Sequence, residues 1–185
     1  SKRSAIKPAE AISCYKELLE LHADSQLANN VVLELAEVEF EVGGEKGGGD
    51  AAKRLVALLG KKPPPNVDLR RLALYRLGIV QFKRKGYSES AKAFEDFLKD
   101  PTEDLVVSAA WQAGEARRQL ALTSEGDTQV REYKAALKNY DIAMKTKVAT
   151  NQADQSRLQQ QALLRDGQLM LGLYDRSDQH QALDE

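Results

Sequence analysis

Apolar residues return at three- and four-residue steps along almost the whole chain, and no segment sustains the period-two alternation of a half-buried strand. The pattern predicts an all-α protein of about eight helices. Ala11, Ile12, Tyr15, Leu18 and Leu19 form the apolar stripe of a first helix, with Pro8 in its first turn and its end near His22. A second helix runs from about Ser25 to Val42, with Leu27, Val31, Leu35, Val38 and Val42 on its inner side. The glycine run GGEKGGG, residues 43–49, reads as a flexible tip that breaks it. Asp50 is placed to cap a short third helix, which Gly60 and Pro63, Pro64 and Pro65 end. Asp68 caps a fourth helix stopped by Gly86, and Ser88 a fifth stopped at Asp100 and Pro101. Thr102 opens a sixth to about Thr123, a seventh ends near Lys147, and an eighth spans roughly Gln152 to Tyr174. Short loops imply antiparallel neighbours, so the helices group into pairs at roughly 8–42, 50–85, 88–124 and 128–174.

The pairs repeat. Aligning the shorter helices sets Ala11, Ala52, Ala91 and Ala136 together, at steps of 41, 39 and 45 residues. Aligning the longer ones sets Ala36, Gly78, Gly114 and Gly167 together, at steps of 42, 36 and 53. Glycine costs about 1 kcal/mol relative to alanine in a helix interior, so a recurring small residue predicts helices that approach closely there. Helix pairs at such periods mark an α-solenoid, in which each pair buries its apolar face only by stacking on its neighbours. The expected organisation is a single repeat domain over 1–185.

Composition narrows the chemistry. The chain is 42% hydrophobic and 30% charged, which suits a folded domain, and no run approaches the roughly 18 apolar residues of a membrane span. The start, SKRSAIKPAEAI, has no apolar signal core, and its lack of a methionine suggests an excised fragment of a longer chain or a processed protein. The net charge of −1 conceals two opposed segments. From Glu10 to Asp50 there are ten acids against two bases, and from Ala51 to Lys99 twelve bases against four acids. Solvated helix faces explain such runs; an acidic client or head-to-tail self-association is the other account. The single cysteine, Cys14, beside an apolar stripe, reads as a buried structural thiol.

The two histidines, His22 and His180, have no sequence neighbours that suit acid–base chemistry. HxxxH, CxxC, a P-loop and a dinucleotide-binding glycine pattern are all missing, and GGEKGGG lacks the GK[ST] ending of a phosphate cradle. The expectation is therefore a non-enzyme with no cofactor and no metal. Lys83, Arg84 and Lys85 suit a helix C-terminus, where cations are favoured, better than a nucleic-acid site.

Residues 68–140 resemble the tetratricopeptide repeat family. Leu74, Leu77 and Gly78 match the large-large-small signature of its first helix, Gly86 and Tyr87 its turn, Ala91 and Phe94 its second helix, and Pro101 its terminator. Trp111, Gly114, Ala136 and Tyr140 are similar in the next unit. The passage carrying Phe94, Phe97, Leu98, Pro101, Ala110, Gly114 and Glu115 most resembles bacterial envelope members, of the Tol–Pal cell-division coordinator and outer-membrane-assembly lipoprotein types. Gln81 departs from the pattern where an aromatic is usual, and two of the three long-helix steps exceed the family's roughly 34-residue period.

The resemblance implies a right-handed superhelix whose first helices line a concave groove. It places Leu33, Glu37 and Phe40, then Tyr75, Ile79 and Phe82, then Trp111, Glu115 and Arg118, then Leu164, Gln168 and Leu171 toward that groove. Tyr75 and Trp111, beside Arg76, suit either a groove floor or the core. The implied function is a protein–protein interaction scaffold that binds a peptide or helix, in the periplasm or at the envelope if the subfamily holds. The alternative is a structural or self-association segment of a larger multidomain protein with no peptide ligand. Neither involves nucleic acid or direct membrane insertion of this segment.

Overall fold

The computed structural model describes residues 7–23, 25, 27–148 and 152–181. Among the described residues there are eight α-helices and no strand. They are α1 (Pro8–Leu21), α2 (Ala28–Val42), α3 (Gly44–Leu59), α4 (Val67–Lys83), α5 (Tyr87–Phe97), α6 (Val106–Leu122), α7 (Gly126–Lys145) and α8 (Ala153–Gln181). The all-α expectation holds. The chain forms two compact units, Ser1–Gly86 with α1–α4 and Tyr87–Glu185 with α5–α8. Within each unit every helix packs on the next, and α2 also touches α4 as α6 touches α8. No helix among the described residues is long and apolar enough to cross a membrane.

In the first unit Leu35 and Ala36 of α2, Ala51, Ala52, Leu55 and Leu58 of α3, and Ala73 and Val80 of α4 are buried. Burying one Leu side chain contributes roughly 1.5–3 kcal/mol, so this sheet of contacts holds the unit together. Glu39 is buried with them at the α2 end, and its carboxylate accepts from Arg54 Nε at 2.7 Å and Nη2 at 3.1 Å. Lys16 of α1 lies 3.5 Å from the same carboxylate. Three helices are thus tied to one acid.

The glycine run is not a flexible tip. It forms the opening turns of α3, and Asp50, expected as its cap, lies well inside the helix. A β-carbon at Gly47 would press into the Glu39 carbonyl group, 3.0 Å from its carbon, so only glycine lets α3 start against the end of α2. Several glycines in sequence resemble a flexible segment until the neighbouring helix is known.

Other helix ends also shift. The cap of α4 is Asn66, whose side chain accepts from the Leu69 N–H at 2.9 Å, and Asp68 sits in the first turn paired with Arg71. Ser88, expected to cap α5, lies within it, and α6 starts at Val106 after a turn that Thr102 closes by accepting from Leu105 and Val106 N–H. Pro8 does open α1. Cys14 is exposed, which overturns the buried thiol: Ala11, Ile12, Tyr15 and Leu19 carry the half-buried side of α1, and Cys14 falls on another face.

Gly86 was expected to stop α4, but the left-handed residue is Lys85, at φ 62°. The Gly86 N–H reaches the Gln81 carbonyl at 2.9 Å and the Lys85 N–H reaches Phe82 at 3.0 Å, the paired bonds of a Schellman cap. A side chain in that conformation costs about 1 kcal/mol or more. Lys85→Gly should therefore raise stability by about 0.5–1 kcal/mol, measured by urea unfolding. An unchanged or lower midpoint would contradict the strain.

In the second unit Val107 and Ala110 of α6, Ala136, Tyr140 and Ala143 of α7, and Ala162 of α8 form one buried cluster. Three of the recurring small positions are buried, Ala36, Gly78 and Gly114. The fourth is not. Gly167 is exposed, with no atom within 4 Å of where its β-carbon would stand, and α8 buries Ala162 instead. Those residues are five apart, about 140° around the helix, so they cannot share a face.

Candidate functional site: two helix-lined surfaces

In the first unit, Glu37, Phe40 and Glu41 on α2 face Arg76, Ile79 and Val80 on α4 around a pocket of about 120 Å³. Both triplets have the i, i+3, i+4 spacing that puts side chains on one helix face. Of the six groove residues expected here, Glu37, Phe40 and Ile79 meet in this pocket. Tyr75 and Phe82 are half-buried on α4 outside its walls, and buried Leu33 lines a separate hollow with Asn30, Asn66 and Leu72. The pocket is below the roughly 300–1,000 Å³ of sites for drug-sized ligands, and suits a single side chain.

Arg76 gives it polarity. Its Nη1 is paired with Glu37, while its Nε is buried with no hydrogen-bond partner among the described residues. An unsatisfied buried donor costs about 1–3 kcal/mol, which an acceptor drawing the guanidinium outward would relieve. Glu41, exposed at the rim, leaves the pocket mouth net acidic.

In the second unit, Trp111 is half-buried against the apolar cluster, its ring 5.4 Å from that of Tyr140 at an interplanar angle of 40°. The Tyr140 hydroxyl donates to Glu115 Oε1 at 2.6 Å, and Arg118 Nη2 donates to Glu115 Oε2 at 2.9 Å. From α8, Arg165 Nε lies 3.5 Å from Glu115 and Arg165 Nη1 donates to Gln168 at 2.8 Å. Burial, reinforced by the Glu115 bond, pushes the Tyr140 phenol well above its ordinary value and keeps it a donor. Trp111, Glu115, Arg118 and Gln168 are thereby joined in one chain of contacts, with Trp111 packed on the core cluster. Leu164 and Leu171 are exposed on α8.

One polar cluster carries no signal in the local sequence. Arg117 of α6 donates to Glu95 of α5 from Nε at 2.8 Å and Nη2 at 2.6 Å, and to Glu132 of α7 from Nη1 at 2.8 Å. Asn139 of α7 completes it, donating to Glu95 at 3.1 Å. Burial alone would raise the Glu95 pKa, but the Arg117 and Asn139 hydrogen bonds and the Arg117 charge outweigh it and hold the carboxyl below its ordinary range.

Both surfaces set apolar side chains beside charged ones. No protein-family model matches the chain, and no curated protein matches it either.

Proposed function

We propose that the chain is a non-enzymatic protein-interaction scaffold that holds a peptide or helix by an apolar anchor seated between α2 and α4. The carrying observation is the Glu37, Phe40, Arg76 and Ile79 pocket, sized for one side chain and bordered by an unsatisfied donor. A ligand with an apolar anchor beside a lysine or arginine would fill the hollow, offer a backbone carbonyl to Arg76 and meet Glu41. Trp111, Glu115 and Arg118 give the second unit a similar mixture of aromatic and charge, of the kind enriched at binding hot spots. The resemblance to tetratricopeptide repeats of bacterial envelope proteins supports the scaffold reading and makes an envelope complex the natural setting.

The test starts from a displayed peptide library panned on the chain, with binding of recovered peptides measured by fluorescence polarisation. Recovered sequences should pair an apolar residue with a basic neighbour. Glu41→Lys, at an exposed position, should weaken them about tenfold or more with the melting temperature unchanged, a loss of about 1.4 kcal/mol. Full affinity in Glu41→Lys and Phe40→Ala together would place the ligand elsewhere and remove this reading.

A further inference from the structure

α8 carries an uncovered apolar face. Leu163, Leu164, Met170 and Leu171 are 64%, 61%, 55% and 67% exposed, and they surround Gly167, which has open space where a β-carbon would stand. The register repeats that of α6. Taking Gly114 and Gly167 as equivalent, Leu163 corresponds to Ala110 and Met170 to Arg117. On α6 that stripe is covered by α7: Ala110 joins the cluster of Tyr140, Gly114 abuts the Tyr140 ring, and Arg117 pairs with Glu132. Among the described residues, the face that α6 buries under α7 is left bare on α8.

The chain also holds the matching part. α1 has the Ala–x–x–x–Tyr spacing of α7, with Ala11 and Tyr15 standing as Ala136 and Tyr140 do. The α7 positions Asn139 and Ala143, buried in their unit, correspond to Cys14 and Leu18, both exposed on α1. Among the described residues α7 packs between α6 and α8, whereas α1 packs on α2 alone.

We propose that α8 of one copy of this chain takes α1 of a second copy, head to tail, with Tyr15 seated over Gly167 as Tyr140 is over Gly114. The contact is heterologous, so each copy gives one face and offers the other. It is independent of the pocket between α2 and α4.

Sedimentation velocity of the whole chain checks this. The wild type should gain mass beyond the monomer as concentration rises. Leu18→Arg on α1 and Leu163→Arg on α8, both at exposed positions, should each be monomeric with helical circular dichroism retained. Mixed in equal amounts they should form a one-to-one dimer, because one supplies an intact α8 and the other an intact α1. A benzophenone side chain at position 163 of the otherwise wild-type chain should crosslink to a peptide from residues 7–21 of another copy. A wild type monomeric at every concentration overturns the proposal. So does a mixture that stays monomeric, or a crosslink to α8 or to any other segment, which would mean a symmetric dimer or another occupant.

Discussion

Gly114→Ala should destabilise the protein by about 2–3 kcal/mol and lower its melting temperature by about 5–10 °C, although alanine is the better helix former. The added carbon would stand 2.6 Å from Tyr140 Cδ1 and 3.0 Å from Cζ, well inside contact distance. The ring cannot move aside cheaply. It is fully buried, its hydroxyl is bonded to Glu115, and its face packs near Trp111. The propensity gain of about 1 kcal/mol is therefore outweighed by overpacking. A double-mutant cycle isolates the clash: with Tyr140→Ala already made, Gly114→Ala should become neutral or stabilising. Additive effects in that cycle would mean that the ring is not what forbids the side chain.

Arg117→Ala should cost about 3 kcal/mol at neutral pH, because it leaves Glu95 and the largely buried Glu132 without their shared cation. The pH dependence identifies the cause. In the wild type the Glu95 pKa is depressed, so its contribution is present above the unfolded carboxyl value of about 4.5 and is lost as pH falls through the lower folded value. Without Arg117, burial becomes the larger influence, and protonating Glu95 would relieve an uncompensated charge. The difference in stability between wild type and Arg117→Ala should thus shrink as pH falls from 7 toward 4, measured by chemical denaturation. A difference independent of pH would assign the loss to packing by the arginine stem instead.

Much of the fold was legible because helical periodicity is local. The all-α class, the eight helices and the opening of α1 at Pro8 follow from the spacing of apolar residues and the fixed φ of proline. Helix ends were less legible, since several residues can cap and packing selects among them: Asn66 rather than Asp68, Lys85 rather than Gly86 as the left-handed residue. The site was half legible. Glu37, Phe40 and Ile79 belong together by their helical registers, yet the unsatisfied Nε of Arg76 depends on how α2 and α4 pack. Arg117, Glu95 and Glu132 lie 22 and 15 residues apart, separations with no local meaning.

The small residues divide the two kinds of information most clearly. Sequence alone determined that Ala36, Gly78, Gly114 and Gly167 recur within long helices, because the period of the pattern is written in the chain. Only the tertiary structure decided what each meets. Gly114 abuts a buried tyrosine and Gly167 faces open space, and GGEKGGG opens a helix in which a carbonyl of α2 lies where a side chain at Gly47 would stand. A missing side chain leaves the same mark in a sequence whether it admits a neighbour or meets nothing. What fills the space is set by elements far along the chain.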